Sequence, residues 1–263
     1  MRQPHSVLDA ASVVDAPPLL SFVNVSQRYP DGNHEIAVLD EVSFDVDGGT
    51  FVGLFGARRS GKSTVLRLAA GVEEPSAGAV RFKGRDIAEM SVVDRERLLR
   101  DAIGLVSADD WRPSPKERVI DYVALSLGSD GPALRDARRQ ARGVLARVGM
   151  AAGADELARS LSAGERMRIV LARALVREPR LLLVDEPAVM PSLSERDELY
   201  ELLRLIAREQ NMTLMIASEE MAPLHGAGVL MSLADGELCS TDERGTVVQL
   251  PRRSLAGAER RGR

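Results

Sequence analysis

The sequence predicts an α/β fold in which a mainly parallel sheet is covered by helices. Three observations carry that prediction. Strand-like and helix-like segments alternate through the last third of the chain. A Gly-bounded loop at 56–64 joins a short apolar, β-rich run to a helical one, and a second apolar run at 181–184 ends in two consecutive acids. Alternation of this kind needs crossover connections, and crossovers lay helices over both faces of a sheet.

Taken in order, residues 1–18 lack periodicity and end in Pro17 and Pro18, so a flexible N-terminal tail is expected. Residues 19–25 read as a strand, followed by a turn at Tyr29, Pro30, Asp31 and Gly32. Residues 36–46 alternate as a second strand, Asp47, Gly48 and Gly49 make a turn, and 50–55 is short and apolar enough for a buried strand. A helical run follows over 62–70. Pro113 and Pro115 then mark a loop before 119–127. Over 133–148, Ala133, Leu134, Ala137, Ala141, Val144, Leu145 and Val148 fall at helical spacing, with arginines filling the other face. This middle stretch reads as a helical subdomain inserted into the α/β core. A helix at 164–176, a strand at 181–184, a helix at 194–209, a strand at 213–217 and two short strands around Asp235-Gly236 complete the chain, and no internal repeat is present.

Composition sets the outer limits. With 263 residues, 44% hydrophobic and 28% charged, the chain is globular in character, which excludes disordered and collagen-like classes. No run approaches the ~18 apolar residues that a membrane-crossing helix needs. Asp9 and Asp15 interrupt any leader-like apolar core, so a cytoplasmic location is expected. A net charge of −4 argues against broad nucleic-acid binding, and no specific nucleic-acid partner is expected. The basic stretch 251–263 reads as a solvated C-terminal tail, with an anionic-lipid or RNA contact as the alternative. A single cysteine, Cys239, leaves no internal disulfide or cysteine cluster. His5, His34 and His225 lack metal-ligand spacing.

Gly56, Ala57, Arg58, Arg59, Ser60, Gly61, Lys62, Ser63 and Thr64 match the phosphate-loop pattern G-x-x-x-x-G-K-[ST], placed between a buried strand and a helix start. Such a turn aims successive backbone N–H groups inward, and the helix N-terminus adds partial positive charge. Lys62 is expected on the β- and γ-phosphates of a nucleotide and the Ser63 hydroxyl on Mg²⁺. The bland alternative is a chance glycine-rich turn. The acidic strand end supplies the complement, with Asp185 holding the Mg²⁺ shell and Glu186 polarising the attacking water as general base. Its bland reading is an ordinary strand with a solvated acidic end. Between these motifs, Leu161-Ser162-Ala163-Gly164-Glu165 contains a helix capping box, Ser162 followed three residues later by Glu165.

The order of these motifs decides more than any one of them. The 161–165 segment resembles the LSGGQ signature of the ATP-binding cassette (ABC) family, and the separations of Lys62, Ser162 and Asp185 resemble that family's. The resemblance covers about 19–250. It implies a P-loop NTPase core of ABC type, with an N-terminal antiparallel β-subdomain and a helical subdomain at about 90–165. It implies ATP and Mg²⁺ as cofactors. It further implies head-to-tail pairing, as a homodimer or a heterodimer with another ABC ATPase, and an integral-membrane permease subunit as partner on the cytoplasmic face of the membrane. By the same resemblance Ser162 and Gly164 contact the partner's γ-phosphate, and Tyr29 stands where an aromatic residue stacks on adenine. A turn aromatic closing over the β-subdomain is the alternative for Tyr29.

Several family positions are altered. Arg59 stands where the loop usually carries another glycine. The sensing glutamine falls at Ala108, the aspartate after the acidic pair is replaced by Ser192 or displaced by Pro191, and the switch histidine is Glu219. His225 lies too late to substitute and reads as a surface or core residue. These departures keep several functional classes open. The first is a transporter energiser, with the 29–46 stretch similar to the lipoprotein-release and macrolide-export branch. The second is a regulatory or assembly module with little hydrolysis of its own, including the degenerate half of a hetero-pair. Non-transport ABC ATPases carry second cassettes or long coiled coils that this length excludes, which leaves a cell-division-type module as the third.

Overall fold

A computed structural model describes residues 17–32, 34–107, 110–128, 131–186, 192–241 and 247–249. Two sheets organise them. The smaller contains β1 (Leu20–Asp31), β2 (His34–Val46), β4 (Ala77–Phe82) and β5 (Arg85–Asp86) in the order β2-β1-β4-β5, with every pairing antiparallel. The larger is seven-stranded, in the order β11-β10-β9-β3-β8-β7-β6. Its members are β3 (Phe51–Phe55), β6 (Ile103–Ser107), β7 (Leu181–Asp185), β8 (Thr213–Ser218), β9 (Val229–Ala234), β10 (Glu237–Thr241) and β11 (Val247–Gln249). The strands from β9 through β6 pair in parallel, and β10 and β11 add antiparallel partners at one edge.

The expected turn at 29–32 is narrower than the sequence suggests. Tyr29, Pro30 and Asp31 continue β1, and Asp31 pairs with His34. Pairing of β1 with β4 ends at Ser26–Ala77, so beyond that point only β2 flanks the strand. Pro30 lacks an N–H and is tolerated where one side of a strand is unpaired. Strands β4 and β5 and helix α2 (Val92–Asp101) go unpredicted, because 77–101 is short-runged and lacks a clean period.

Parity along the central strands distributes the core. Side chains alternate across a strand with period two. Leu182 and Val184 of β7 and Leu214 and Ile216 of β8 face one apolar cluster, shared with α3 (Val119–Ala124), α4 (Leu134–Arg147), α5 (Ala163–Leu175) and α6 (Leu193–Gln210). Leu181, Leu183, Met215 and Ala217 face the other cluster, shared with α1 (Lys62–Ala69) and the antiparallel sheet. Both faces are therefore dry, which explains why 181–184 reads as an unbroken apolar run rather than an alternating one. Helix α4 buries Ala137, Ala141 and Leu145, one turn apart, and carries its arginines outward. Within the interval 90–165, β6 joins the large sheet as its edge strand, while α3 and α4 stack on α5. Among the described residues no helix is long and apolar enough to cross a membrane.

Leu183 is fully buried beneath the strand end that carries Asp185. Replacing it by Ala removes packing that the rigid sheet cannot close over, and should cost about 2–5 kcal/mol of unfolding free energy. A urea titration of the full chain measures this as a lower midpoint with an unchanged slope.

Candidate functional site

The C-terminal ends of the parallel strands converge on one edge, where Ser107, Asp185 and Ala217 lie in register and Phe55 sits opposite Ser218. After Phe55 the chain cannot continue as a strand, because the loop must double back into α1. Gly56 N–H donates to Ser218 O at 3.3 Å, and Ser60 N–H closes a tight turn onto Ala57 O at 3.1 Å. Gly61 caps the helix at φ +102°, a left-handed value, and a Cβ there would come within 3.0 Å of Val38 Cγ1. Arg59 also adopts a left-handed φ, +64°, without being glycine. That conformation costs roughly 1–2 kcal/mol for an L side chain. A glycine at 59 would remove the cost, so the sequence departure has a structural consequence.

Lys62 is 5% exposed, and its Nζ donates to Gly56 O at 2.8 Å and Ala57 O at 2.9 Å. Among the described residues no carboxylate pairs with it. Ser60 Oγ is buried with no hydrogen-bond partner among the described residues. A Cβ added at Gly56 would lie 2.4 Å from that oxygen, so glycine is needed to keep the cradle open. The half-buried side chains of Ser63 and Asp185 likewise have no protein partner among the described residues. Beside the loop opens a cavity of about 830 Å³, lined by Gly56 to Ser60, Ile36 to Val38, Glu219 and the Asp235-Gly236 turn. A buried cation, an orphaned hydroxyl, a glycine cradle and an unpaired carboxylate together fit an anionic ligand with a hard divalent cation. No cluster of three His, Cys, Asp or Glu forms a self-sufficient metal site among the described residues.

Glu186 follows β7 at φ +36° and is locked by its surroundings. Its N–H donates to Ala217 O at 3.2 Å, and its Oε1 accepts the Glu219 N–H at 3.0 Å. Position 219 therefore acts on Glu186 through its backbone, whatever its side chain. The Glu219 side chain is exposed and lines the cavity together with Arg58 and Arg59, but no ion pair joins it to either arginine among the described residues. Tyr200 of α6 is buried close by, and its phenol is pushed well above the ordinary range by burial, with Glu186 and Glu220 adding to the effect.

Comparison with known proteins places this arrangement. The family described as ABC transporter matches residues 39–189. The chain belongs to the ABC transporter family. Two uncharacterised ABC transporter ATP-binding proteins from strains of Mycobacterium tuberculosis are each 32% identical over 241 residues, covering 89% of this chain and 97% of theirs. The macrolide export ATP-binding/permease protein MacB of Rhodopirellula baltica is 28% identical over 242 residues, which is 91% of this chain but 35% of that protein. Among solved structures, the dimeric ATP-binding cassette MJ0796 bound to ADP and Pi superposes with a TM-score of 0.77 at 22% identity, covering 90% of this chain and 100% of that one. CbiO1 from Clostridium perfringens, part of the CbiONQ complex, gives 0.74 at 24% identity, with 84% and 87% covered. The fold is thus that of an ABC cassette, and the chain is an ABC transporter ATP-binding subunit.

Within this cassette the signature segment lies apart from the phosphate-loop cavity, at the start of α5. Ser162 is exposed and Gly164 is buried. The capping box is fully formed: Glu165 Oε2 accepts Ser162 N–H and Ser162 Oγ–H, both at 2.8 Å, while Ser162 Oγ accepts Glu165 N–H at 3.3 Å. Ser192 caps α6 by accepting the Glu195 N–H at 3.2 Å. Ala108 and Pro191 lie outside the described residues. Downstream of 108, the Tyr122 hydroxyl donates to Asp110 O at 2.9 Å and accepts from Arg173 Nη1 of α5 at 3.0 Å. Arg173 also sits 4.6 Å over the Tyr122 ring. Sequence reasoning misses Tyr122, which looks like one more apolar position of its helix. It also misses Arg67 and Glu73, which engage the Tyr29 hydroxyl.

The Ser162 amide and hydroxyl hold the Glu165 carboxyl below its ordinary range. A depressed carboxylate contributes stability above its unfolded pKa and loses it as pH falls through the folded value. The stability gap between the native chain and Glu165→Gln should therefore be present at pH 7 and close on the acid side of pH 4. Urea midpoints at neutral and acid pH read it, and a gap that persists in acid would contradict the assignment.

Proposed function

We propose that this chain is the ATP-hydrolysing subunit of an ABC transporter, pairing head to tail with a second copy or another ABC ATPase to drive a separate integral-membrane permease from the cytoplasmic face. The observation that carries the reading is Lys62, a nearly buried ammonium that, among the described residues, touches only carbonyl oxygens. Burying a cation without a counter-charge is unfavourable unless a ligand supplies one. A triphosphate does so. On this reading Gly56, Ala57, Arg58, Arg59, Ser60 and Gly61 wrap the phosphates with backbone amides, Lys62 sits on the β- and γ-phosphates, and Thr64, at the start of α1, joins them in binding the nucleotide. Ser63 and Asp185 would hold Mg²⁺, which when bound supplies charge neutralisation at the phosphates. Glu186, aimed by the Glu219 amide, takes the proton of the attacking water. Tyr29 stacks on adenine, and Ser162 with Gly164 presents the α5 N-terminus to the other subunit's γ-phosphate.

The helical subdomain offers the face for the permease. Helices α3 and α4 line a cleft of about 680 Å³ with Arg118, Arg135, Arg138, Arg139 and Arg142 against Asp121 and Asp155. Arg138 pairs with Asp121 at 2.7 Å and Arg142 with Asp155 at 3.1 Å, whereas Arg118 and Arg135 pair with no carboxylate among the described residues. The cleft is thus net basic and suits an acidic cytoplasmic segment.

Two experiments test the reading. In calorimetry, Lys62→Ala should lower ATP affinity by roughly ten- to a hundredfold, the value of a charge-assisted hydrogen bond. The tagged chain, isolated from membranes in mild detergent, should bring an integral protein with it, and Arg135→Glu should weaken that association. Full ATP affinity in the Lys62 variant, or recovery of the chain free of any membrane partner, would overturn the proposal.

Glu219 sets the expected rate. Two unit charges about 4 Å apart at an effective dielectric near 20 repel by roughly 4 kcal/mol. Exposure screens part of this, yet each 1.4 kcal/mol that persists in the transition state costs about tenfold. We expect Glu219→His to raise turnover of the purified assembly by about tenfold, measured as phosphate release. Unchanged turnover would remove the electrostatic argument.

A further inference from the structure

We propose that Glu73 and Arg67 are positioning residues that fix the Tyr29 ring as the platform for the nucleotide's base. The inference rests on the ATP-site reading above and extends it to groups outside the family's motifs. Tyr29 lies on the part of β1 that pairs only with β2, opposite Ile36, so the sheet itself does not hold the ring from the β4 side. Its hydroxyl does. That hydroxyl donates to Glu73 Oε2, and the other carboxylate oxygen accepts Arg67 Nε–H at 2.5 Å. Arg67 Nη2 reaches back to the Tyr29 hydroxyl at 3.4 Å and to Thr64 Oγ1 at 3.3 Å, and Thr64 Oγ1 is itself 3.4 Å from the Tyr29 hydroxyl.

These four groups close a loop between the hairpin and the helix that begins with Lys62 and Ser63. Thr64 and Arg67 lie three residues apart and share one face of α1. The ring's far end is thereby fixed to the same rigid element that carries the phosphate-binding residues. Burial opposes the charge on Arg67, but the bonds from Tyr29 and Glu73 outweigh it, so the guanidinium is held above its ordinary pKa and remains charged. The Arg67 and Glu73 side chains are 37% and 27% exposed, and a pair so wetted adds little to the fold. Its geometric effect is larger. A tyrosine with a free hydroxyl can swing between rotamers, whereas one pinned at its far end keeps its ring axis in one place, and a stacked base needs the ring at that place.

The test uses the full chain and two probes: ATP, and inorganic tripolyphosphate, which has no base. Calorimetric titration is made on the native chain, Tyr29→Phe, Glu73→Ala and the double variant. Each single variant should weaken ATP binding roughly three- to tenfold, a fraction of what loss of a base–aromatic stack costs. Tripolyphosphate affinity should not change. The double variant should be no weaker than the worse single one, because both break the same link. Equal losses for both probes would mean that the network merely braces α1, and unchanged ATP affinity would mean that the ring needs no anchor; either overturns the inference. Tyr29→Phe keeps the ring and removes one oxygen, so a folding defect in Glu73→Ala does not block the comparison. A native chain that binds tripolyphosphate and ATP equally would defeat this inference alone. One that binds neither would defeat the ATP-site reading and this inference with it.

Discussion

A buried ammonium that meets no counter-charge among the described residues is the constraint on which the rest of the structure depends. Among those residues the Lys62 Nζ contacts only the Gly56 and Ala57 carbonyls. Those two bonds bend the loop inward, and the bend is possible only because Gly56 has no Cβ to strike Ser60 and Leu233. The same bend requires Gly61 at positive φ to turn the chain into α1. These contacts fix the shape of the loop from within the chain itself, and a loop so fixed has less ordering cost to meet on binding. The seven-stranded sheet is the rigid body that makes it possible, since β3, β7 and β8 end together at the loop, Asp185 and Ser218.

Much of this was legible in the sequence because each motif has a local cause. The phosphate loop announces itself by glycines at the two places where a side chain would clash, and the acidic strand by an apolar run that only a two-sided core explains. The capping box at Ser162 and Glu165 is a short-range device, so spacing alone finds it. The extent of β1 was not legible. Pro30 signals a turn locally, and only the tertiary fact that β4 stops pairing at Ser26–Ala77 makes a strand there acceptable. The Tyr29 network was hidden for a similar reason. Glu73 and Arg67 are ordinary surface-type residues in sequence, and what joins them to Tyr29, far away along the chain, is the packing of the hairpin on α1.

Ala108, which holds the place of the sensing glutamine in the resemblance, lies outside the described residues, but the segment after it is described. In the resemblance, a glutamine at that place links the permease side to the metal shell, and an alanine side chain cannot make such a link. The segment that follows is nonetheless tied down, by Tyr122 to the Asp110 carbonyl and by Arg173 of α5 to Tyr122. Arg173 stacks on the same ring that Trp111 meets edge-on, with centroids 5.4 Å apart. The tie runs from the post-β6 segment to the helix whose N-terminus carries Ser162. Both links are short-range, one hydrogen bond to the hydroxyl and one cation–π contact to the same ring.

Charge placement across the proposed shared site follows one pattern. Glu165 stands in the first turn of α5 and stays ionised because Ser162 stabilises it, so it offsets part of the helix dipole offered to a phosphate. Glu219 adds a second carboxylate, on the cavity wall beside the loop. Arg58 and Arg59 bring two guanidinium groups to that same wall, unpaired by any acid among the described residues. These two acids and two guanidinium groups balance in number. The cations ride on the phosphate loop, Glu219 lines the same cavity, and Glu165 stands in the first turn of α5. On the proposed reading the loop arginines would favour holding a nucleotide, while the Glu219 carboxylate would oppose charge that builds on its terminal phosphate. On that reading slow turnover would follow from where these charges sit, although Lys62, Asp185 and Glu186 are all retained in the sequence.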